Sequence, residues 1–227
     1  MTGAELVDEV QALVGRTGDT ALCDDTRCTR WLNEAQKEVV EKVPGIHNMV
    51  FKNTTSVDTT VVLSYALTDW TVGDATTQSP CHIFNVTYLD GNESVPLKYT
   101  HIDVWDEEFP DPTHSDVPVG IPQRWTRRGN AIEMIPLCAT AYCDADIRLD
   151  GDFYAEDLTT NTTSPSDISG ADQGLILYAV AQAWGAIGDE VKAKIWEGKY
   201  NDWLDEFRGA NDRIDAWGGG MYEDAVE

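Results

Sequence analysis

The stretch from Asp172 to Phe207 constrains this chain most, because it runs one pattern twice. Between Gln173 and Gly188, the residues Ile176, Val180, Ala183, Trp184 and Ile187 fall at steps of three and four. Trp196, Tyr200, Trp203, Leu204 and Phe207 then repeat those offsets. The spacing predicts two amphipathic helices, each with one broad apolar stripe. Gly188-Asp189 between them supplies a C-cap followed by an N-cap, so the chain turns there. A helical hairpin has no core of its own, and these aromatics require partners.

The partners stand at the opposite end of the chain. Thr2 and Glu5 form a capping box ahead of Leu6, Val10, Leu13 and Val14, a short helix that Gly15 and Gly18 end. Asp24 or Asp25 caps a second helix with the stripe Cys28, Leu32, Ala35, Val39 and Val43, closed by Pro44-Gly45. Trp31, Asn33 and Glu34 flank that stripe.

Between Ile46 and Leu158 the period changes to two and β-branched residues accumulate. Strands are expected over 49–55, 60–65, 82–89, 94–99, 123–128, 131–135 and 145–153. Asp90-Gly91-Asn92 and Gly129-Asn130 are the clearest hairpin turns, since glycine and asparagine tolerate positive φ. A helical turn capped by Thr100, burying Ile102, Trp105 and Phe109, interrupts the strands. Pro110, Pro112, Pro118 and Pro122 make the stretch from Phe109 to Pro122 a loop. Leu158 to Ser169 reads as a linker.

The layout is therefore an α+β fold. Residues 1–45 and 166–214 form a discontinuous helical bundle, residues 46–158 an inserted antiparallel β module, and residues 215–227 a C-terminal tail.

Charge narrows the partners. Forty acidic residues against 16 basic ones give a formal net charge of -24. Such self-repulsion opposes compaction at ordinary ionic strength, whereas at molar salt the Debye length falls to about 3 Å. The acids are spread along the chain rather than gathered in a tail, which points to a halophilic source. No long basic stretch offers itself to phosphates, so nucleic-acid binding through base or backbone contacts is disfavoured. No apolar run approaches the roughly 18 residues that span a bilayer, and the first residues lack signal-peptide character. A soluble chain with no membrane partner is expected.

Cys23, Cys28, Cys81, Cys138 and Cys143 include two C-x4-C pairs, open to three readings: small buried thiols, a local disulfide, or a four-thiolate zinc site. His47, His82, His101 and His114 occur singly, and no nucleophile, phosphate-loop or metalloprotease motif appears. Asp144, Asp146, Asp150 and Asp152 alternate along a strand, as a solvated face or a divalent-cation site. No catalytic, cofactor-binding or metal residues are assigned, and the expectation is a protein that is not an enzyme and needs no cofactor.

A family resemblance adds to this. Arg30-Trp31-Leu32-Asn33-Glu34-Ala35-Gln36 followed by Glu38-Val39 resembles the second-helix motif of the head-to-tail adaptor, or connector, proteins of tailed viruses. Leu6 to Leu13, Tyr65-Ala66-Leu67, Ile121-Pro122-Gln123-Arg124-Trp125, the hairpin around Gly129 with Ile132 and Ile135-Pro136, and Leu177-Tyr178-Ala179-Val180-Ala181 with Gly188-Asp189, Ala193 and Tyr200 fall in the same order. The loop from Asp69 to Ser79, the cysteine pairs and the extreme acidity depart from that pattern.

The resemblance implies a structural virion protein at the head–tail junction, a homo-oligomeric ring commonly of twelve copies docked beneath the portal protein and joined to a downstream tail protein. DNA would only pass through its channel. It further implies that Trp217, Gly218, Gly219, Gly220, Met221 and Tyr222 reach the portal; Trp31, Asn33, Glu34, Trp196, Tyr200 and Trp203 are the expected contacts between subunits. A virus of a halophilic archaeon or salt-adapted bacterium is the implied source. The alternatives are a carbohydrate-binding β module with exposed Trp70, Trp105 and Trp125, and a halophilic hydrolase with a buried, charge-perturbed carboxylate in a cleft.

Overall fold

A computed structural model describes residues 1–18, 21–46, 50–56, 64–67, 80–89, 94–110, 118–137, 146–159 and 166–218. The chain divides into two units, residues 1–49 with 154–227 and residues 50–153.

The first unit is helical. Helix α1 (Gly3–Val14) opens on the Thr2–Glu5 capping box and closes at Gly15, whose φ of 72° only glycine adopts readily. Helix α2 (Asp25–Lys42) is capped by the Asp24 carboxylate, which accepts from the Arg27 amide. Helix α4 (Asp172–Ile187) lies against α1, α2 and the long helix α5 (Glu190–Gly218). The hairpin turn between α4 and α5 uses Gly188 at φ 91°, with the Asp189 carboxylate accepting from the Lys192 amide.

Two expectations for the helices need correction. Helix α4 carries no single stripe: Gly174, Leu175, Ile176, Leu177, Ala179, Val180, Ala181 and Ala183 are buried nearly all round it, so it is the central helix of its unit. On α1, Val7 is buried while Leu13 stays 40% exposed. The expected tail is helical at its start, since α5 runs to Gly218; residues 219–227 lie outside the described residues.

The second unit is a β sandwich. One four-stranded sheet has the order β1 (Val50–Ser56), β8 (Asp146–Phe153), β3 (Pro80–Leu89), β4 (Ser94–Pro96); the other has the order β2 (Ser64–Ala66), β7 (Ala131–Ile135), β6 (Arg124–Arg128), β5 (Lys98–Tyr99). Their facing sides share a core of Tyr65, Val86, Tyr88, Trp125, Ile132, Met134, Ile147, Leu149 and Phe153. All pairings are antiparallel except β5 with β6. Gly129, at φ 59°, turns β6 into β7 as the sequence predicts, whereas Asp90-Gly91-Asn92 lies outside the described residues.

The expected strand over 94–99 is two strands in different sheets. Leu97 is buried between them, its amide bonded to the Val86 carbonyl at 2.8 Å, while the Lys98 amide reaches Gln123 across the other sheet. Gly151 is required on β8 because a Cβ there would overlap the His82 carbonyl, where β3 bulges toward it. Helix α3 (Ile102–Glu108) lays Trp105, fully buried, against Ile135 on the outer side of the second sheet. His101 rather than Thr100 caps it, through Nδ1 to the Asp103 amide at 3.4 Å.

Candidate assembly surfaces

The motif on α2 has two jobs, divided by face. Trp31, Leu32 and Ala35 point into the core. Asn33 and Gln36, one turn apart, hold the returning chain. The Asn33 amide group donates to the Leu158 carbonyl at 3.0 Å while its oxygen accepts from the Leu158 amide at 2.8 Å. Gln36 donates to the Glu156 carbonyl at 3.1 Å and accepts from the Ser166 hydroxyl at 2.6 Å. Lys37 meets Asp157 at 3.2 Å, and the Tyr154 hydroxyl donates to Glu41 at 2.9 Å. Residues 154–158 thus run antiparallel along α2. The stretch expected to be a linker is docked at both of its described ends.

Aromatic packing closes the hairpin of α4 and α5. Gly174 lies under Trp203, whose ring occupies the space a Cβ would take. Tyr178 and Tyr200 meet edge to face at 5.3 Å between ring centres, and Trp203 stacks on Phe207 at 4.9 Å. Beside Tyr178 and Tyr200 lies a cleft of about 340 Å³ that Glu38, Lys42 and Glu197 also line. Burial, reinforced by Glu38 and Glu34, pushes the Tyr178 hydroxyl up to about 12. Burial also raises Tyr200, with Glu38 and Tyr178 adding to it. At the far end of α2, Arg208 donates to the Lys42 carbonyl at 2.8 Å, a group the helix end leaves open, and Asn211 donates to the Gly45 carbonyl in the loop beyond at 3.0 Å.

Of the six residues expected between subunits, Trp31 and Tyr200 are enclosed within their own subunit at 4% and 2% exposure. Asn33 is engaged by Leu158, and Glu34 is exposed in an i,i+4 pair with Arg30 at 3.5 Å. Trp203 is half-buried in the aromatic stack. Trp196 is half-buried, with Lys199 over its ring at 3.9 Å, and it lines a groove of about 520 Å³ with Leu13, Ile176 and Leu177. Sequence reasoning passed over Val191 and Ile195, which are 72% and 54% exposed on α5. Their signal was present: an apolar pair four apart that falls off the helix's own stripe. Of the residues expected at the portal, Trp217 and Gly218 occupy the last turn of α5, while Gly219, Gly220, Met221 and Tyr222 lie outside the described residues.

The β unit removes two alternative platforms. Trp105 and Trp125, at 0% and 4% exposure, are core residues and cannot stack on a sugar; Trp70 lies outside the described residues. Two of the alternating aspartates stand beside bases, Asp152, fully buried, 3.3 Å from His82 Nδ1 and Asp150 3.3 Å from Arg148, while Asp146 is exposed. Asp144 lies outside the described residues, and no cluster of three potential metal ligands occurs among the described ones. Cys23 and Cys28 are buried thiols whose sulfurs meet at 3.3 Å without a disulfide, and burial raises Cys28; Cys81 is half-buried, while Cys138 and Cys143 lie outside the described residues. Among the described residues, no helix is long and apolar enough to cross a membrane.

Two units, a helical one closed by both chain ends and an inserted β sandwich, carry surface features suited to assembly. Over residues 1–222 the sequence matches the family described as SU10 adaptor protein. The chain belongs to that family. No curated protein matches it. Membership makes this a head–tail adaptor of a tailed virus, placed at the junction of head and tail. It is an oligomeric structural component that meets portal and tail proteins, and its role is not enzymatic.

Proposed function

We propose that the adaptor forms a ring of twelve copies beneath the portal, with the helical unit (1–45 and 166–214) as the wall and the β module (46–158) directed to the next tail component. The segment from residue 215 onward, with Trp217, Gly218, Gly219, Gly220, Met221 and Tyr222, reaches the portal. The observation that carries the portal contact is the extent of the family match, which continues through Tyr222 and therefore takes in the glycine run and both residues after it.

Charge supports the channel. With a net -24 per copy, a ring lumen repels DNA phosphates, so the genome slides without sticking. The same charge fits a virus whose host keeps molar salt inside or around it.

Deleting residues 219–227 leaves the described helices intact and tests the portal role. The truncated protein is expected to keep its circular dichroism spectrum and to fail to bind portal-bearing heads. Incorporation at the level of the full chain removes that role.

A further inference from the structure

We propose that Cys23 and Cys28 are the two halves of a disulfide, which closes when the chain folds in the presence of a low-molecular-weight disulfide oxidant. The cap of α2 brings them together. Asp24 is the N-cap, its carboxylate accepting from the Arg27 amide at 2.8 Å, so Cys23 stands just before the cap and Cys28 four residues after it. Side chains at those two positions of a helix start pack on each other, which gives the C-x4-C spacing a structural reason. In this chain both are thiols. Their sulfurs lie 3.3 Å apart, and both residues are fully buried. A disulfide holds its sulfurs about 2.05 Å apart, so the bond requires an approach of only about 1 Å.

The surroundings tolerate that bond. The Cys28 thiol donates weakly to the Cys23 carbonyl at 3.7 Å, and oxidation removes this donor. The carbonyl keeps its stronger partner, Gln11 Nε2 at 2.9 Å, so no buried acceptor is stranded. Gln11 also donates to Asp25 at 2.8 Å and accepts from the Gly18 amide at 3.3 Å, which fixes the loop between α1 and α2 on either side of Cys23. Burial decides when the bond forms. An oxidant of the glutathione type cannot reach a sulfur with no exposed surface, and burial pushes the Cys28 thiol up, leaving little thiolate to attack. Exchange therefore runs while the segment is open. One thiolate attacks the oxidant's disulfide and releases a small thiol; the second attacks the resulting mixed disulfide and releases another. The protein thiols lose two electrons and two protons, and the oxidant becomes two thiols. Once the cap of α2 closes over the bond, reductant is excluded as oxidant was.

The full chain is refolded from urea into molar NaCl, either with reduced and oxidised glutathione together or with excess reductant. Remaining thiols are then blocked in denaturant and tryptic peptides mapped. Cleavage after Arg16, Arg27 and Arg30 places Cys23 in residues 17–27 and Cys28 in residues 28–30. The two peptides are expected as one linked species, in preference to any link through Cys81, Cys138 or Cys143. The link is expected to survive reductant in the folded chain and to be lost in urea. It closes a short loop, so the linked chain is expected to melt about 4 °C or more above the reduced one. Cys23→Ala combined with Cys28→Ala removes that difference. Recovery of both cysteines as blocked thiols, or links formed without preference, overturns the proposal and leaves the pair as an apolar contact of the helix cap. A melting difference that persists in the double variant, or helix content regained in reductant but not in glutathione, overturns it equally.

Discussion

Asn33 shows how much one side chain on α2 contributes. It satisfies both backbone groups of Leu158, a residue only 6% exposed. Truncation to alanine leaves a half-buried amide and carbonyl without that partner, at a cost of about 1–3 kcal/mol for the two together. Glu34, the next residue, is exposed and among the described residues pairs with Arg30 alone, so Glu34→Ala is expected to change stability by less than about 0.5 kcal/mol. Urea denaturation of the two variants separates them. Equal midpoints would show that the docking of residues 154–158 contributes little. The sequence motif was readable as a helix with a core stripe, but the role of its amides was not. A polar residue beside a stripe looks the same whether it faces water or a chain that returns 125 residues later.

Among elements, those whose pattern reflects burial on one face were readable, and those buried on several were not. Strands β6 and β7 announced themselves by alternation around Gly129, and α2 by its stripe. Helix α4 hid its role because glycine and alanine fill its close contacts: Gly174, Ala179, Ala181 and Ala183 are buried yet add little to an apolar stripe. The run from Ser94 to Tyr99 looked like one strand because β propensity does not report which sheet each half joins. The packing of α4 against α5 makes a prediction about alkali. The folded value of Tyr178 lies above the ordinary 10.0 of an unfolded tyrosine, at about 12, because burial disfavours the phenolate. Its contribution is therefore complete below pH 10.0 and is lost as pH rises toward about 12. Tyr200 acts in the same direction. Thermal melts through that range are expected to fall less steeply for Tyr178→Phe than for the parent. Parallel curves would mean that the ring contributes packing alone.

At the scale of the whole molecule, the ion pairs cannot balance the charge. Sixteen bases can neutralise no more than 16 of 40 acids, so most carboxylates repel one another in the folded chain and in any ring built from it. Many exposed pairs, such as Arg30 with Glu34 at 3.5 Å, contribute little individually, which leaves long-range repulsion as the dominant electrostatic term. Screening acts on that term directly, since the Debye length shrinks from about 10 Å at 0.1 M salt to about 3 Å at 1 M. The melting temperature is therefore expected to climb by about 5 °C or more between those concentrations, equivalent to roughly 2 kcal/mol for a chain of this size. Preferential exclusion of salt also raises melting temperatures, so a charge-specific control is needed. Asp8, Asp202 and Glu206 are exposed and make no ion pair among the described residues. Replacing them with Asn, Asn and Gln removes three charges without touching a contact. If repulsion is the cause, the triple variant melts higher than the parent at 0.1 M, and the gap closes at 1 M as screening does the same work. A gap that persists unchanged across the range would trace the salt response to exclusion, and the acidity would then not be an adaptation to salt.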